Sequence, residues 1–135
     1  MTLDEVVVAL GISSLPVGGI VESYIFSATS AQKWALSLAA SAKAMERIEE
    51  TRSATWDTAS WPIIDQLSSS NFPNQLVVLD LSDSGVPSVY ATNVTQITQI
   101  SSTPPLRRIR VDCIWTFKGN ELFTNTIETC RAPDQ

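Results

Sequence analysis

Residues 6–21 carry no charged side chain, and two acids, Asp4 and Glu5, stand directly before them. No other part of the chain limits its fold as sharply. A carboxylate at the mouth of an apolar helix is costly unless something pairs with it. A free globular domain has little reason to display such a stretch. We read residues 1–26 as a hydrophobic N-terminal helix that anchors the subunit in a membrane and then packs at the centre of a helical assembly. Residues 27–135 are read as a head carried on the same helix. The opening lacks the basic region of a secretory signal, since no Lys or Arg precedes Lys33. As a span, the uncharged run makes about 24 Å of helix, short of a ~30 Å hydrocarbon core. The full stretch 1–26 makes about 39 Å, with Asp4, Glu5 and Glu22 at interfaces or paired. A helix buried for structural reasons alone is the competing reading.

Helical pattern continues past Phe26. Trp34, Leu38, Ala42, Met45 and Ile48 recur at spacings of four and three, an amphipathic stripe expected to hold the head. Ala28, Ala31, Ala35 and Ala39 form a small-residue face that lets other helices approach, or reflect helix propensity alone. Lys43, Glu46, Arg47, Glu49, Glu50 and Arg52 read as a solvated face, and the helix is expected to end near Ser53 to Trp56. Pro16 removes a backbone donor and crowds the preceding turn, while Gly18 and Gly19 lower helical preference. An interruption is therefore expected over residues 12–19.

Two prolines and a serine run make residues 53–74 a connector. Beyond it the pattern alternates like sheet, with strands expected over 75–81, 88–101, 106–117 and 122–130. The third is the clearest: Ile109, Val111, Cys113, Trp115 and Phe117 share one face. The fold expected is α+β, a long N-terminal helix packed on a four-stranded antiparallel meander. For the last hairpin, the apolar pattern favours Phe117 opposite Phe123 and Cys113 opposite Ile127.

Cys113 and Cys130 are the two cysteines. They read as one disulfide formed in an oxidising compartment, or as two unrelated thiols. A bridge would staple the C-terminal tail to the sheet and be worth roughly 3 kcal/mol by loop entropy. The net charge of −5 argues against general affinity for nucleic acid or anionic membrane. Arg107, Arg108 and Arg110 are a local exception, and Asp112 on the same strand face as Arg108 and Arg110 partly cancels them. DNA or a surface ligand is thus unsupported as a partner. Asn93-Val94-Thr95 is a glycosylation sequon, a weak signal by itself. With no histidine, no nucleotide-binding glycine loop and no metal-type cysteine spacing, neither an enzyme nor a metal or cofactor is expected.

Thr2, Leu3, Glu5, Val6, Val7, Ala9 and Leu10 resemble the start of a mature type IV pilin or type II secretion pseudopilin after removal of its leader peptide. Glu5 falls where that family carries its glutamate. The long helix, the antiparallel sheet and the C-terminal cysteine pair extend the resemblance along the chain. It implies that Met1 is a processed, N-methylated terminus and that Glu5 neutralises the Met1 amine of a neighbouring subunit. Pro16, Gly18 and Gly19 would mark the part of the helix that melts on assembly. The implied function is a structural subunit of a bacterial pilus-like filament; a minor pseudopilin of a secretion system is the alternative. The implied partners are copies of itself, the inner membrane before assembly, prepilin peptidase, and the pilus or secretion assembly machinery. The implied location is the inner membrane and then the extracellular filament at the cell surface. Asp4 stands where the family has an apolar residue.

Overall fold

A computed structural model of the chain describes residues 2–81, 85 and 87–134, with residues 3, 9 and 12–17 placed only as part of a helix. That helix, α1, spans Leu3–Ser53. The chain divides into two compact units, residues 1–35 and 36–135. The first is helix alone. The second contains the remainder of α1, a two-strand ladder of β1 (Trp56–Asp57) and β2 (Ile64–Asp65), and a 3-10 turn at Ser69–Asn71. It is completed by β3 (Gln75–Leu81), β4 (Pro87–Ser102), β5 (Pro105–Phe117) and β6 (Glu121–Arg131). The sheet order is β3-β4-β5-β6, antiparallel throughout. The chain is thus α+β, with one long N-terminal helix and a four-stranded antiparallel meander. α1 runs helical through Gly18 and Gly19, which corrects the glycine half of the interruption expected over 12–19. Each glycine lowers helix preference by about 1 kcal/mol without removing a hydrogen bond. Pro16 lies outside the described residues.

The inner face of the sheet is built in rows across three strands. Ala91–Trp115–Phe123 is the first, Asn93–Cys113–Asn125 the second, Thr95–Val111–Ile127 the third and Ile97–Ile109–Thr129 the fourth. Trp115 stacks on Phe123 with ring centroids 4.9 Å apart and meets Phe117 edge-on at 6.4 Å. Within the second unit, α1 lays Leu36, Ala40, Ala44, Ile48 and Thr51 on this face. This corrects the expected stripe. Of its members, Ile48 alone is buried, while Trp34 and Leu38 are each 74 % exposed and Met45 is 47 % exposed. The sheet already supplies bulk through Trp115, Ile109 and Val111, so the helix closes the layer with alanine. A leucine at Ala40 or Ala44 would overfill a wall packed at crystal-like density. Arg47 also leaves the expected solvated face and is buried.

Lys118, Gly119 and Asn120 connect β5 to β6, with Gly119 at φ 82° and Asn120 at φ 65°. Glycine takes this left-handed geometry freely and asparagine tolerates it. The loop sets Trp115, not Phe117, opposite Phe123. It also rules out the expected disulfide. Cys113 pairs with Asn125, and Cys130 pairs with Arg108, five residues away along β5. At about 3.4 Å per residue the cysteines stand roughly 17 Å apart, whereas a bridge needs Cα atoms within about 7 Å. They also lie on opposite faces: Cys113 is buried, Cys130 is exposed, and both are free thiols.

A polar clasp holds the tail in place of that staple. Arg131 donates to the Thr51 carbonyl at 2.8 Å and pairs with Asp134 at 2.7 Å. Asp134 accepts the Trp56 N–H at 2.8 Å, and its own N–H donates to the Trp56 carbonyl at 2.7 Å. An arginine on the last carbonyls of a helix is a favourable C-terminal cap.

Candidate functional site

In the N-terminal unit, Thr2 opens α1. Its carbonyl accepts the N–H of Glu5 at 3.1 Å, and its own N–H donates to Glu5 Oε2 at 3.0 Å. The second contact is the return half of a capping box, a carboxylate three residues in reaching back to the capping residue's N–H. Glu5 therefore has a local partner in the isolated chain. Asp4 also lies in the first turn, where the positive end of the helix dipole favours an acid by about 0.3–1 kcal/mol. That gives Asp4 a role the family resemblance leaves open. Met1, the expected partner of Glu5, lies outside the described residues.

Beyond the cap, Val6, Val7, Val8 and Leu10 are exposed, and so are Ile20, Val21, Tyr24, Ile25 and Phe26. Ser23 returns a hydrogen bond to the Gly19 carbonyl at 2.8 Å, which satisfies a hydroxyl within the helix. A β-carbon at Gly18 or Gly19 would meet nothing within 4 Å. Among the described residues, no helix is long and apolar enough to cross a membrane.

In the head, polar side chains join helix to sheet. Asn125 donates through Nδ2 toward the Ser37 carbonyl (3.2 Å), Ser37 Oγ (3.0 Å) and Ser41 Oγ (2.9 Å). Its Oδ1 accepts the indole N–H of Trp115 at 2.8 Å. Arg47 donates to Thr95 Oγ1 at 3.2 Å and to the Pro73 carbonyl at 2.7 Å, pairs with Glu50, and lies over the Phe72 ring at 5.3 Å. Neither Asn125 nor Arg47 stands out in the linear pattern. The one signal for Asn125 is its type: a strand-averse asparagine at an inward position of a Thr-rich strand.

Asn93 corrects the glycosylation expectation. It is 1 % exposed on the inner face, and its Nδ2, the atom a glycan would need, donates to the Lys43 carbonyl at 3.1 Å. Nor are Arg107 and Arg110 free cations, which leaves Arg108, exposed on β5, as the remaining member of the cluster. Arg107 grips both oxygens of Asp65 at 2.6 and 2.7 Å, donates to the Leu67 carbonyl and lies 4.4 Å over the Trp56 ring. Arg110 is held by Asp112 at 3.0 Å and lies 3.7 Å from Glu128. The Arg107 hydrogen bonds hold the Asp65 carboxyl below its usual range. Burial pushes the Cys113 thiol up to about 11, which keeps it protonated and unreactive. An open groove of about 240 Å³ lies beside Asp65, Ser68, Ser69, Gln99 and Arg107, but its charged pair is spent on itself. Among the described residues, no group of three acid or thiol side chains is placed to hold a metal ion.

No family model, curated protein or solved structure matches the chain.

Proposed function

We propose that this chain is the structural subunit of a type IV pilus-like extracellular filament, assembled through its N-terminal helices. The observation that carries the reading is the distribution of exposed apolar side chains in the first unit. Successive helical residues point about 100° apart, so Val6, Val7, Val8, Leu10, Ile20 and Phe26 are spread around the helix with no gap wider than about 120°, and all are exposed. A helix apolar all round works only when covered all round. Copies of the same helix, packed side by side, supply that cover and leave the sheet-bearing heads outside.

Glu5 fits the same scheme. Capping the first turn occupies one carboxylate oxygen but leaves the charge unbalanced. Carried into an apolar core, that charge requires a cation, and the Met1 amine of a neighbouring subunit is the one the pilin resemblance supplies. The pairing would also set axial register, because a slipped subunit buries an unpaired acid.

Glu5→Gln separates the two roles. Glutamine serves the capping box as well as glutamate does but carries no charge. In the native host, filaments sheared from the cell surface should contain the parent chain and lack Glu5→Gln subunits. The head should unfold within about 0.5 kcal/mol of the parent. Filaments that take up Glu5→Gln as readily as the parent would refute the charge pairing. Absence of the parent chain from any surface filament would refute the reading as a whole.

A further inference from the structure

The sheet has two edges, and they differ. β3 is seven residues long, and its register with β4 shifts twice around Asp80. Bulges and an edge charge are the usual devices that keep a sheet edge from pairing with another chain. β6 has no bulge, and it carries no charge between Glu121 and Glu128. It is eleven residues long, its register with β5 is unbroken, and it contains neither proline nor lysine. Residues 122–127 read LFTNTI, strand-favouring apart from Asn125 and uncharged. Among the described residues, no strand pairs with its outer edge.

We propose that this edge docks a second copy of the same chain, two β6 strands pairing antiparallel over their full length about a two-fold axis at Thr126. Two four-stranded sheets then become one of eight strands. The ends of β6 favour this occupant. Full overlap sets Glu121 of each copy opposite Arg131 of the other, an attractive pair at both ends. It sets Glu128 opposite Thr124, so no like charges face each other. Residues of equal parity meet, so the helix-bearing faces of both sheets stay on one side. The inference does not rest on the filament reading. A two-fold pair points its two heads in opposite directions, so it belongs to subunits outside a polar polymer.

The register gives a test by sign. Thr126→Lys places two lysines against each other on the axis, whereas Thr124→Lys places lysine opposite Glu128 of the second copy. With the full chain in mild detergent, sedimentation equilibrium should show a monomer–dimer equilibrium. Thr126→Lys should weaken it by about fivefold, and Thr124→Lys should tighten it by about twofold or more. In a Cys130→Ser background, Thr126→Cys should cross-link to itself on mild oxidation. Thr98→Cys, exposed on β4, should not. A parent chain that stays monomeric overturns the proposal. So does a dimer that both lysines move in the same direction or leave intact, as does cross-linking at 98 in place of 126.

Discussion

Replacing Asn125 by alanine tests how far one side chain joins helix to sheet. The substitution leaves the Trp115 indole N–H without its acceptor, and Trp115 is only 2 % exposed. A buried donor stranded in this way costs about 1–3 kcal/mol. Losing the contacts to Ser37 and Ser41 adds about 0.5–1 kcal/mol net, because those groups keep partial access to water. The head should therefore lose about 2–3 kcal/mol. For a unit spanning residues 36–135 that corresponds to a fall in Tm of about 10–20 °C. Urea unfolding of the full chain followed by far-UV circular dichroism measures it, with the denaturant slope held to the parent value. Trp115→Phe removes the donor as well. In that background the cost of Asn125→Ala should shrink by about 1 kcal/mol or more. A single-variant cost under about 0.5 kcal/mol, or a cycle with no coupling, would refute the account of the joint.

The two thiols should differ sharply. In the native chain an alkylating reagent should modify Cys130 alone, with Cys113 reacting only after denaturation; two blocked sulfurs before reduction would restore the disulfide. Acid should loosen the connector and the tail. The hydrogen bonds from Arg107 to Asp65, and from the Trp56 N–H and then Arg131 to Asp134, hold both carboxyls below their ordinary 3.8. Between the folded and unfolded values the unfolded chain binds more protons, so this stability is full above about pH 4 and is lost as pH falls below it. The urea midpoint should therefore drop less between about pH 5 and about pH 2.5 in Asp65→Asn than in the parent, and equal drops would count against the Arg107–Asp65 pair.

Local periodicity made much of the fold legible. The alternation in Ile109, Val111, Cys113 and Trp115 identifies β5 and its buried face, and the end of α1 at Ser53 follows from the loss of helical pattern. The helix stripe was a different matter. Trp34, Leu38, Met45 and Ile48 and the series Leu36, Ala40, Ala44 and Ile48 both satisfy helical spacing. Which one turns inward depends on how much volume the opposite wall supplies, and that wall is some fifty or more residues away in sequence. The cysteine pair failed for a related reason. Cysteine spacing says nothing of register, and a three-residue loop with Gly119 and Asn120 in the left-handed region placed the thiols on opposite faces.

For the chain as a whole, the amino-acid order alone determined what is local: an uncharged helical run at its start, strands that alternate, and an acid poised at the first turn. Those properties arise from neighbours three or four residues away, or two on a strand. Tertiary structure settled which polar groups are enclosed. Asn93, Arg47 and Asn125 each resemble surface residues in the linear chain. Each is drawn inward because helix, connector and sheet meet with carbonyls and hydroxyls that need donors, although Asn93 Oδ1 stays buried without a partner among the described residues.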